Sequence, residues 1–112
     1  MSKERGICLA LKSLDAKQGK CGQAVYEQAE AEIRDLNGYK YWILKTGSKY
    51  CVYDFATGMI VVAARKTVAE CVKYVEQVLP KIQATFKSSF YRNVLYLANE
   101  YRLEHDIPTY EL

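Results

Sequence analysis

Nucleophiles and metal ligands are sparse and widely spaced in this chain of 112 residues. Its four cysteines, Cys8, Cys21, Cys51 and Cys71, include no C-x-x-C pair, and its single histidine, His105, stands far along the sequence. Zinc needs sulfur and imidazole ligands at close spacing, so no metal site is expected. A Cys–His or Ser–His pair would have to draw its base from His105, in an acidic helix end, which leaves nucleophilic catalysis unsupported. The thiols are expected to be reduced and mostly buried, since free cysteine packs as a small hydrophobe and no secretion signal points to an oxidising compartment.

Carboxylates offer no more. Glu27, Glu30 and Glu32 fall in one helical pattern and Glu100 and Glu104 in another, where a solvated face accounts for them. Asp54 differs: it closes a strand-like run just before Thr57-Gly58, where its side chain can accept backbone amides of a turn or, as the lesser alternative, receive a cationic partner. Gly47 and Gly58 are isolated and begin neither a G-x-x-x-x-G-K nor a G-x-G-x-x-G pattern, so no phosphate-cradling loop and no cofactor is expected. The chain reads as a binding protein and not as an enzyme. A small-molecule enzyme would need a pocket assembled from residues that read as structural.

What remains is charge and aromatic surface. Residues 37–92 carry nine of the 16 basic groups and three of the 13 acidic ones. Lys40, Lys45 and Lys49 surround a first hairpin, Arg65 and Lys66 precede a helix, and Tyr39, Tyr41 and Tyr50 lie between them. Basic groups contact phosphates and exposed rings stack on bases, so these eight residues are the candidate binding surface. The opposing reading has a helix covering the tyrosines and the lysines protecting a sheet edge.

The elements that must position these residues follow from periodicity. From Glu4 to Lys17, Ile7, Ala10, Leu11 and Leu14 recur at i, i+3, i+4 and i+7, which predicts a short amphipathic helix, with a strand opening at Ile7-Cys8-Leu9 as the alternative. After a polar connection over 17–22, Val25, Ala29, Ile33 and Leu36 predict a second helix over 23–36, ended by the αL-tolerant pair Asn37-Gly38. Three runs rich in β-branched and aromatic residues, over 39–46, 49–54 and 59–65, are separated by Gly47-Ser48 and by Phe55-Ala56-Thr57-Gly58, which predicts an antiparallel meander. With Thr46 opposite Lys49 and Asp54 opposite Met59, one face carries Trp42, Leu44, Cys51, Tyr53, Ile60, Val62 and Ala64, the expected core. The other face carries Tyr39, Tyr41 and Tyr50.

Thr67-Val68-Ala69-Glu70 is a capping box. The helix it opens keeps Val68, Cys71, Val72, Val75, Leu79, Ile82 and Phe86 on one stripe, suited to cross the core face, and Pro80 is expected to kink it. Ser88 or Ser89 caps a final helix to about Glu104 whose surface is apolar on most sides, so that it can contact two surfaces, a second copy of the chain among them. Ile107-Pro108 cannot continue it, and the last residues read as a tail. The expectation is one α+β domain over 1–112, a three-stranded antiparallel meander packed with helices in the order α-α-β-β-β-α-α. No apolar run reaches the roughly 20 residues that span a bilayer, and Met1-Ser2-Lys3-Glu4-Arg5 lacks a signal-peptide core, so a cytoplasmic location is expected.

The α-β-β-β-α order over 23–86, with Arg65-Lys66 just before the last of these helices, resembles the double-stranded-RNA-binding domain, which implies a grip on phosphates across a groove. Glu70 departs from that family near an expected lysine, and Lys45-Thr46-Gly47-Ser48-Lys49 lacks its histidine loop. Over 39–79, Tyr50-Cys51-Val52-Tyr53-Asp54 leads to Thr57-Gly58 and on to Thr67-Val68-Ala69-Glu70. This stretch is similar to small accessory proteins of phages and mobile elements, some of them anti-CRISPR inhibitors. The resemblance implies a protein or nucleoprotein partner whose surface is occupied, with direct nucleic-acid binding as the alternative and no membrane.

Overall fold

The computed structural model describes residues 4–17 and 20–111. Five strands come first, β1 (Glu4–Lys17), β2 (Lys20–Leu36), β3 (Tyr39–Thr46), β4 (Lys49–Asp54) and β5 (Ile60–Arg65), followed by the helices α1 (Val68–Thr85) and α2 (Ser89–Glu104). All neighbours pair antiparallel in chain order, forming one meander. The two helices expected before the sheet are strands, so the order is β-β-β-β-β-α-α with five strands in place of three. Gln18, Gly19 and the Cys21 thiol, which belong to the expected first connection, lie outside the described residues.

The physical reason for this correction sits at Asn37-Gly38. Both residues have positive φ, 53° and 91°, and Leu36 pairs directly with Tyr39. Two central residues with positive φ make a two-residue hairpin of the type whose twist matches its strands, so the pair that could end a helix instead turns a sheet. The Asp35 carboxylate fixes the turn by accepting from the Gly38 amide over 2.7 Å. Gly47, with φ 63°, makes the next two-residue turn between the paired Thr46 and Lys49, as the sequence predicts.

The sheet coils back on itself. The Leu11 amide of β1 donates to the Gly58 carbonyl after β4 over 2.8 Å, and the Trp42 indole of β3 donates to the Leu9 carbonyl over 3.2 Å. Such contacts between the first strand and the third and fourth require strong curvature. Small side chains make it possible: Gly6 and Cys8 pair with Ala31 and Ala29. Cys8, Ala10, Ala31 and Ile33 then close over the fully buried Trp42, whose ring stacks on Tyr53 at 4.6 Å. Trp42 belongs to the core face as expected, but its cover is the β1–β2 hairpin and not a helix.

Helix α1 crosses the opposite face. Cys71 and Val75 pack against Tyr39, Tyr41, Val52 and Val62, flanked by Leu79, Ile82 and Phe86 of the expected stripe. Val62 reaches this face because register shifts at Val52 pair it with Val52, and a one-residue slip flips a side chain through the sheet. Each fully buried valine there contributes about 1.5–3 kcal/mol. Thr67 caps α1 through its hydroxyl, and the Glu70 carboxylate reaches back to the Lys66 amide over 3.0 Å. Pro80 lies inside the helix, which runs on to Thr85.

Helix α2 is capped by Ser88 and lies on the outer side of the first hairpin, where Ala98 meets Leu9 and Tyr26. The tail folds back: Asn99 exchanges two 2.9 Å hydrogen bonds with the Tyr110 backbone. No helix among the described residues is long and apolar enough to cross a membrane.

Candidate functional site

The eight residues singled out by the sequence separate into three places. Tyr39 and Tyr41 are 5% and 2% exposed, under α1, and Tyr50 is half-buried beside them. Tyr39 stacks on Tyr41 and on Phe86, at 6.0 Å in each case. These rings belong to the core, as in the reading that had a helix covering them, and no base could stack there. Lys40 stands apart as well. It is five positions from Lys45 on one strand, an odd spacing that puts the two on opposite faces. Its ammonium lies 3.9 Å from Glu4 and 5.9 Å from the Phe55 ring centre.

Lys49, Arg65 and Lys66 do converge, with Lys45 at the same end of the sheet but on the opposite face from Lys49. The register runs Lys45 to Tyr50 to Arg65 across three strands. Lys49, Ala64, Arg65, Lys66 and Glu70 line one shallow groove at this end of the sheet. Arg65 is steadied by the Tyr74 ring, with its guanidinium carbon 4.9 Å from the ring centre. Glu70 is already engaged by the Lys66 amide at the helix cap. Sequence reasoning missed Lys73, which lines an adjoining groove with Arg65, Glu70 and Tyr74. Its helical spacing from Glu70 was the available signal. All five cations are exposed, and among the described residues none of them forms an ion pair.

A second concentration of polar groups is buried. Asp54, 3% exposed, holds the end of β4 as the sequence anticipates, accepting from the Thr57 amide over 3.0 Å and the Thr57 hydroxyl over 2.6 Å. Two donors from distant elements join it. The Tyr39 hydroxyl lies 2.7 Å from one carboxylate oxygen and the Tyr91 hydroxyl 2.8 Å from the other. Burial first, and the Asp54 charge second, push both phenols far above the ordinary tyrosine range. On the far side of the 55–58 loop, buried Arg102 donates to the carbonyls of Phe55 and Ala56 over 2.7 and 2.8 Å. Its desolvation lowers its own pKa. Neither Tyr91 nor Arg102 was foreseen; Arg102, the one basic residue of 93–112, was the readable sign.

Tyr39, Asp54 and Tyr91 also form the floor of a cleft of about 450 Å³ between β5, α1 and the start of α2. Among the described residues, no group of His, Cys, Asp and Glu is placed to hold a metal ion. Comparison with protein families, with curated proteins and with solved structures found no match.

Proposed function

We propose that the protein acts by binding, without catalysis, and that its partner is a nucleoprotein complex whose phosphates meet the basic end of the sheet. One observation carries this reading: Lys49, Arg65 and Lys66 meet in one groove from a hairpin, the end of β5 and the cap of α1, with Lys45 at the same end of the sheet, and among the described residues no carboxylate pairs with any of them. A cation already in an ion pair gains little from a phosphate, whereas an unpaired one gains the full release of condensed counterions. The rigid sheet and the helix cap fix the positions of these groups, which lowers the ordering cost of association.

Inhibition of a host nucleoprotein enzyme by occupying its surface, the mode implied by the phage and mobile-element resemblance, is the use of this surface that we favour. Binding of free nucleic acid is the second reading, favoured by the same cations. The double-stranded-RNA-binding mode does not carry over, because the helix that opens that domain is here a strand of the sheet. The test is the salt dependence of binding to nucleic acid, with and without the basic cluster.

A further inference from the structure

The cleft along the later turns of α1 has a composition of its own. Its apolar walls include Val61, Val78, Ile82 and Phe90, and its volume of about 450 Å³ falls among those of small-molecule sites. Two of its lining residues, Ile60 and Phe90, leave 54% and 49% of their surface in water, so exposed apolar area borders an apolar cavity.

Of the five hydroxyls that line the cleft, all but that of Tyr74 have their protons committed. Tyr39 and Tyr91 commit their hydroxyl protons to Asp54. Thr85 and Ser88 commit theirs to the carbonyls of Ile82 and Thr85, over 2.6 and 2.8 Å. A hydroxyl whose proton is engaged offers only lone pairs. Beneath these oxygens lies the Asp54 carboxylate, held by four donors, none of them a cation. The Lys81 ammonium on the rim is exposed and can turn to water on its long stem.

We propose that this cleft binds a primary amine carried on a compact apolar body. The ammonium sits against the Tyr39, Asp54 and Tyr91 oxygens, and the hydrocarbon part lies between Val61, Val78 and Ile82. An ammonium supplies three donors and a positive charge, matching a floor made of acceptors over one negative charge. A carboxylate or phosphate head would bring a second anion to a floor that has no proton to offer it.

Phenethylamine and hydrocinnamate, alike in their apolar part and opposite in charge, are the probes. Titrated into the full-length chain, phenethylamine should raise the melting temperature with concentration and saturably shift the amide resonances of Val61, Val78 and Ile82. Hydrocinnamate should do neither. A folded Val78→Trp variant, with the cleft filled, should lose at least tenfold in amine affinity. The proposal is overturned if the amine produces no saturable shift, if hydrocinnamate binds as well, or if folded Val78→Trp binds the amine unchanged. Should Val78→Trp not fold, the paired titrations on the parent chain decide between these outcomes.

Discussion

The Tyr91 hydroxyl donates to the Asp54 carboxylate over 2.8 Å, a single bond that ties the first turn of α2 to the last residue of β4. The same acid gathers Tyr39 from the start of β3 and Thr57 from the following loop. A buried carboxylate without a cation is tolerable only when it is well hydrogen-bonded, and here three donors meet one oxygen while the Tyr39 hydroxyl meets the other.

Removing one donor should therefore cost much less than removing the acceptor. Tyr91→Phe deletes one hydrogen bond to a charged group and should lower stability by about 1.5–3 kcal/mol. Asp54→Ala leaves Tyr39, Tyr91 and both Thr57 donors without an acceptor in the interior and should cost on the order of 3–5 kcal/mol, a large part of a small domain's stability. Urea denaturation of both variants checks the order, and an Asp54→Ala chain as stable as Tyr91→Phe would contradict it.

The same cluster sets an alkaline limit. Burial, then Asp54, raises Tyr39 and Tyr91 above their ordinary value of 10.0, and burial pushes the Cys8 thiol from 9.0 up to about 11. In each case the folded state holds its proton more tightly than the unfolded chain. The stability this confers is complete below the unfolded values and is lost as pH rises from about 9 through the folded ones. Stability measured against pH should be level to that point from these groups and then fall, and Tyr39→Phe should make the fall shallower.

Replacing Tyr39, Tyr41 and Tyr50 together by serine should unfold the protein. Truncating a buried aromatic costs on the order of 3–5 kcal/mol, and two of these rings are fully within the α1 interface. Loss of the cooperative melt is the expected result, whereas a variant that melts like the parent would place the rings outside the core.

The parts of the fold legible in the sequence were those governed by neighbours in the chain. Thr67 with Glu70, Ser88, Gly47-Ser48 and Asp54 with Thr57 are all contacts within four positions, and each is where local chemistry puts it. The first hairpin was misread because both of its faces are covered. Cys8 and Ala10 go to Trp42 while Leu9 and Leu11 go to α2, so apolar residues run together and mimic a helical stripe. Alanine, glutamate and glutamine add helix propensity to β2, which tertiary pairing overrides. The contrary signal was present in Ala29-Glu30-Ala31-Glu32-Ile33-Arg34, where small or apolar residues alternate with charged ones at the period of a strand. Which face α1 would cover was not legible, since it depends on the curl of β1 and on the register shift at Val52. Tyr91 and Arg102 reach the 54–58 region from more than 30 positions away, beyond any local pattern.

The binding surface is tested most directly by fluorescence anisotropy of a labelled nucleic-acid duplex across a range of salt, comparing the parent with a Lys49→Glu/Lys66→Glu variant shown to keep its melting temperature. If Lys45, Lys49, Arg65 and Lys66 each meet a phosphate, the parent should bind at low salt with a logarithmic slope of roughly −4. The variant should lose most of that affinity and about two units of the slope. A parent chain that fails to bind at the lowest salt, or a folded variant that binds with the same affinity and slope, would contradict the assignment of this end of the sheet.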